Sequence, residues 1–250
     1  MPSPVKTSFD SSLCTKPTPA DSPVGQGHER PLGEALLAFA VVTGVVSLLY
    51  RLRGIAFVER NLAVVAAVLF LYVPALVLWR RGRELEQYGL RAKPVGQGML
   101  FAVLSMAAVF PPFAAGYFVY VTRLCGRLSH ALPAWHCPMA LPVALRLPPD
   151  LAMAVLSQLL VVALPEEFFF RGYLQGRLGE ALSPRQTLLL TAILFALGHF
   201  LVTFDPAALA VFFPGVVFGL LRRWTGSILA GALFHAACNL FMETLRRSLG

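Results

Sequence analysis

The chain has 250 residues, 57% of them hydrophobic and 14% charged, and its mean hydropathy is +0.68. Soluble domains carry about 25% charged residues, so this composition excludes an ordinary water-soluble globule and points to a multi-pass membrane protein. The formal charge of +8 is then read as Lys and Arg gathered in cytoplasmic loops, and not as a nucleic-acid surface.

Residues 1–31 are rich in Pro, Ser, Thr and Gly and lack an apolar run. They read as a disordered tail ahead of one membrane domain over 32–250. They do not read as a cleavable signal peptide, because the first apolar stretch starts too late. Apolar runs follow at 33–50, 61–79, 97–121, 151–174, 186–204, 206–221 and 225–245. Most approach the roughly 20 residues that cross a bilayer as helix. The predicted fold is all-α, a polytopic bundle of about seven to eight transmembrane helices. Only Asp205-Pro206 separates the fifth and sixth runs, which predicts a tight hairpin. The proline-rich stretch 126–150 reads as a loop. Lys and Arg favour the side shared by the tail and the second, fourth and sixth loops, which predicts a cytoplasmic N-terminus.

The four cysteines, Cys14, Cys125, Cys137 and Cys238, form no CxxC pair, so a zinc ribbon or thioredoxin-type site is not expected. Cys125 and Cys137 share one loop and would be able to pair if that loop is extracytoplasmic.

Against this background LPEEFFFRGYL, residues 164–174, is anomalous. It places Glu166, Glu167 and Arg171 inside an apolar run. Each charge at the bilayer centre costs about 2.5–3.5 kcal/mol if left unpaired, so these groups must face one another or a wet cavity. Glu167 and Arg171 are four apart with the acid first, the favourable order for an ion pair on a helix. Glu166 lies about 100° around the helix and has no cation of its own, which suits a general base. His235 and Asn239 are also four apart and share a helix face. Both can donate hydrogen bonds to a developing oxyanion. His199, four residues after Phe195, is placed to help Glu166 with a water. Glu243 continues the His235–Asn239 face and is a weaker candidate to orient His235. Gln158 reads as helix–helix glue, and Phe168, Phe169 and Phe170 read as lipid-facing or core-packing.

Two other readings stay open. Glu166, Glu167, His199 and His235 include zinc-ligand types, although no HExxH spacing is present. A non-catalytic membrane scaffold, immunity factor or transporter would also bury polar groups for packing or proton movement.

The three patterns Glu166-Glu167-Phe168-Phe169-Phe170-Arg171, Phe195 to His199 and His235 to Asn239 resemble, in type and order, the CPBP family. This family contains the type II CAAX-processing endopeptidases and bacterial relatives. The resemblance implies a glutamic-type intramembrane endopeptidase without a required cofactor. Glu166 and His199 would activate water, His235 and Asn239 would form the oxyanion hole, and Glu167 and Arg171 would support the site. It implies a membrane-anchored or tail-anchored protein substrate, the lipid bilayer as surroundings, and no nucleic-acid partner. Short loops and an Ala/Arg/Leu/Pro-heavy composition point to a bacterial inner-membrane member, of which the anchor-trimming myxosortases are one example. No motif is recognised over 1–150.

Overall fold

Seven helices, taken in chain order, make up the bundle among the described residues. The computed structural model describes residues 30–91, 95–120, 123 and 146–249. The predicted tail, most of the loop at 126–150 and the Cys125–Cys137 pair lie outside the described residues. The helices are α1 Pro31–Arg51, α2 Ala56–Arg80, α3 Val95–Val119, α4 Leu151–Gly179, α5 Pro184–Thr203, α6 Phe212–Thr225 and α7 Leu229–Leu249. A 3₁₀ turn, Pro206–Val211, leads into α6. No strand occurs among the described residues. Six of these helical units are long and apolar enough to cross a membrane, and the apolar part of α7, Leu229–Leu245, is shorter. The protein is an all-α, multi-pass membrane protein.

Local chemistry sets several boundaries. Asp150 caps α4 by accepting the Met153 N–H at 3.0 Å. Ser183 and Gln186 form a reciprocal capping box on α5, with Pro184 in its first turn, a pattern that satisfies N–H groups the helix cannot pair itself. The expected hairpin forms at Phe204-Asp205, where the Asp205 side chain accepts the Ala207 N–H at 2.9 Å. Several boundaries differ from the sequence reading: α2 begins at 56 and not 61, α4 runs to 179 and not 174, and the last two helices shift as well. The last helix begins at 229 and not 225, because Gly226 takes a left-handed φ of 68° that ends α6. Arg222 and Arg223 consequently close α6 as its last turn, where cations suit the negative end of the helix dipole.

Helix α4 lies at the centre and touches α1, α2, α5, α6 and α7. It is not uniformly wound: Gln158–Ala163 and Phe168–Leu174 are π-helical. Such wide turns re-aim side chains and often mark functional sites. Phe168, Phe169 and Phe170 are all buried, so they pack the core and do not face lipid. Phe170 meets Phe195 edge-on at 5.0 Å, and Phe195 meets Phe218 edge-on at 5.9 Å. Lipid tails are as apolar as these rings, so close packing and internal hydrogen bonds hold the helices together, more than water exclusion does.

One face of the bundle is tied by a polar network the sequence did not announce. Arg177, fully buried, pairs with Glu34 of α1 at 3.1 Å and with Glu180 at 2.7 Å. Arg81 joins Glu34 at 2.7 Å. Tyr88, in the loop between α2 and α3, donates to Glu180 at 2.8 Å. This network clamps the start of α1, the end of α2 and the end of α4, and so fixes the depth at which α4 presents its two glutamates.

Candidate active site

Glu166 and Glu167 sit mid-way along α4, between its two π-helical stretches. The expected i,i+4 pair is present: Arg171 Nη1 donates to Glu167 Oε1 at 3.0 Å, with both side chains at 0% exposure. Arg171 also donates through Nη2 to the Gly215 carbonyl of α6 at 3.1 Å. Its guanidinium lies 4.1 Å from the Phe195 ring centre and 4.8 Å from that of Phe218. Cation–π contacts of this kind gain strength when desolvated.

Helix α7 runs antiparallel to α4 and inserts His235 between the two glutamates. Its Nδ1 lies 3.2 Å from Glu167 Oε1, and its Nε2 lies 3.8 Å from Glu166 Oε2. The sequence reading had the two acids looking to different faces; both address the same imidazole, from opposite edges. Gly231, one turn before His235, makes this approach possible. A Cβ there would lie 2.7 Å from Glu167 Oε2.

His199 of α5 completes the cluster, with Nε2 3.9 Å from Glu166 Oε2. Its Nδ1 lies 3.0 Å from the Phe195 carbonyl, which explains the four-residue spacing of that motif. Phe195 supplies both the acceptor and a ring whose centre is 4.5 Å from the His199 ring.

These contacts fix the tautomers by elimination. A backbone carbonyl only accepts, so His199 carries a proton on Nδ1. Glu167 Oε1 already accepts from Arg171, and His235 Nδ1 donates to the same oxygen. In the neutral rings both Nε2 atoms then present lone pairs, and both face Glu166. Glu166 Oε2 is itself buried without a hydrogen-bond partner. Three acceptors thus converge with no donor among them, and a water placed there can donate to two of them at a time.

Asn239 lies one turn beyond His235 on α7. Its amide donates to Gln158 Oε1 of α4 at 2.9 Å, which leaves its second N–H for another acceptor. Gln158 is therefore more than generic glue, because it orients a candidate site residue. Glu243 does not orient His235; it pairs with Arg247 at 2.7 Å, and Glu167 takes the orienting position. A cavity of about 220 Å³ reaches the site, lined by Glu166, His199, Phe170, Thr43, Val202 and Thr203 among others. His235 and Asn239 do not line it.

Tetrahedral zinc with bonds of about 2.1 Å holds neighbouring ligands about 3.4 Å apart. The acid–imidazole separations of 3.8 and 3.9 Å are wider. Among the described residues no group of three or more His, Cys, Asp or Glu side chains is set to hold a metal ion.

The family described as type II CAAX prenyl endopeptidase, Rce1-like, matches this chain over residues 148–241. Those residues form an Rce1-like domain. It takes in α4, α5, α6 and most of α7, and it contains all six residues singled out by the three sequence patterns. The family is one of membrane endopeptidases. No curated protein and no solved structure matches the chain. Gln158, read from the sequence as helix–helix glue, and Gly231, which that reading did not single out, fall within the Rce1-like domain as well. Gly231 is a small residue one turn before His235 on the same face, where close helix approach is expected.

Proposed function

We propose that the protein is a glutamic-type intramembrane endopeptidase that hydrolyses a peptide bond near the membrane in the terminal tail or anchor of a substrate protein. The observation that carries this reading is Glu166 Oε2, buried and unpartnered, facing two imidazole nitrogens whose partner nitrogens are already committed. A water held there has its oxygen polarised by the carboxylate. Glu166 takes the proton as the water oxygen bonds to the substrate carbonyl carbon. His199, fixed by the Phe195 carbonyl, holds the water in line. The carbonyl electrons move to oxygen, and the Asn239 amide stabilises that charge together with His235 once its Nε2 has taken up a proton from bulk water. Glu167 balances the imidazolium that this requires. Glu166 then returns its proton to the leaving amine as the C–N bond breaks. No cofactor enters these steps.

A second cavity, about 300 Å³ and lined by Leu159, Leu160, Leu164, Ala232 and Leu233 among others, runs between α3, α4 and α7. It offers an apolar wall for a substrate helix. Arg80, Arg81, Arg83, Arg91, Arg222 and Arg223 gather at the face where α1 begins. The excess of positive charge supports reading this as the cytoplasmic face of an inner membrane.

The test compares cells carrying the wild type with cells carrying Glu166→Gln, mapping new protein termini by mass spectrometry. A substrate found this way is then cleaved by purified protein in micelles. Glu166→Gln, isosteric and uncharged, should lower cleavage by about 10²–10⁴-fold with unchanged insertion. Cleavage by the wild type should survive chelation. Undiminished processing by Glu166→Gln, or loss of activity on chelation with recovery on zinc, would overturn the reading.

A further inference from the structure

A separate cavity of about 320 Å³ opens where α4 ends, α5 begins and α6 ends. Arg171, Gln175, Thr187, Arg222 and Arg223 line it, and no carboxylate does. Arg171 is balanced by Glu167, but neither Arg222 nor Arg223 has a carboxylate within ion-pair distance among the described residues. Arg222 donates only to the Gln87 carbonyl, at 3.0 Å. The Nε atoms of Arg171 and Arg222 are buried without a partner, and so is Gln175 Oε1. Uncompensated arginine charge is costly when partly buried, and two such arginines lining one hollow suit it to an anion.

The depth of the hollow identifies the source. Trp224, adjacent to Arg223, is 56% exposed, and Trp79, at the end of α2 on the same face, is 75% exposed. Exposed tryptophans at helix ends mark the boundary between lipid tails and headgroups. We infer that this arginine-lined hollow is a binding site for an anionic phospholipid headgroup, a phosphodiester. Arg222 and Arg223 pair with the phosphate. Basic hollows between membrane helices at this level are suited to such headgroups. The hollow shares Arg171 with the support of Glu167 but does not depend on the proposed catalysis.

The experiment measures thermal unfolding of the full chain in neutral detergent. Phosphatidylglycerol, phosphatidylcholine or inorganic phosphate is added, and native mass spectrometry counts the bound lipids. Phosphatidylglycerol should raise the midpoint by about 5 °C with one retained lipid, and phosphatidylcholine should not. Arg222→Ala/Arg223→Ala should abolish the shift. Arg223→Ala alone, at an exposed residue, should fold normally and lose about half of it. Stabilisation by inorganic phosphate equal to that by lipid would keep the anion site but overturn its assignment to lipid. No shift with either ligand, or a full shift in both variants, would overturn the site.

Discussion

Replacing Gly231 with alanine sets two effects of known size against each other. The added methyl favours helix by about 1 kcal/mol. It would also lie 2.7 Å from Glu167 Oε2 and 3.4 Å from its carboxyl carbon. An acid at the end of a free side chain would swing away, but Glu167 is held by Arg171 at 3.0 Å and by His235 at 3.2 Å. Overpacking of a tight core costs about 1–3 kcal/mol. The net expectation is a loss of up to about 2 kcal/mol, small enough for the protein to fold. Cleavage should suffer far more, because pushing Glu167 turns the His235 ring. A displacement near 1 Å at a reacting group costs about 100-fold. Gly44→Ala in α1, where an added Cβ meets nothing within 4 Å, is the control. It should leave cleavage unchanged and stability equal or higher. The assay pairs detergent unfolding midpoints with initial cleavage rates on the mapped substrate. Wild-type cleavage by Gly231→Ala would show that the Glu167–His235 contact does not position the imidazole.

Arg171→Met should destabilise by about 3–5 kcal/mol, because it leaves Glu167 buried with its charge uncompensated. Adding Glu167→Gln should recover about 1–3 kcal/mol of this without restoring cleavage, and strictly additive losses on unfolding would refute the pairing. Gln158→Leu should lower kcat by about 10-fold with KM nearly constant, since a mispositioned oxyanion donor acts in the transition state; a pure KM effect would place Gln158 in substrate binding instead. Burial, and then Glu180, push the Tyr88 hydroxyl above its ordinary value of 10.0. Its tether therefore contributes stability that is complete below about pH 10 and is lost as pH rises further. Tyr88→Phe should remove this alkaline step from the unfolding midpoint, and an unchanged step in the variant would refute the assignment.

The order of apolar runs was enough to place the helices, because a bilayer demands about 20 apolar residues per crossing and leaves few alternatives. Helical spacing was enough to pair Glu167 with Arg171 and to put His235 and Asn239 on one face, because both relations lie within a single helix. Spacing could not show that His235 enters between two adjacent glutamates. That depends on α7 packing tightly on α4 through Gly231 and on the π-helical turns that re-aim α4. It also could not bring Gln158 to Asn239, or Glu34 to Arg177, since these partners lie on different helices. Periodicity reports which face a residue occupies on its own helix. Which faces meet, and at what depth, is decided by the packing of all seven helices together, and that packing converts a scattered set of polar residues into a site.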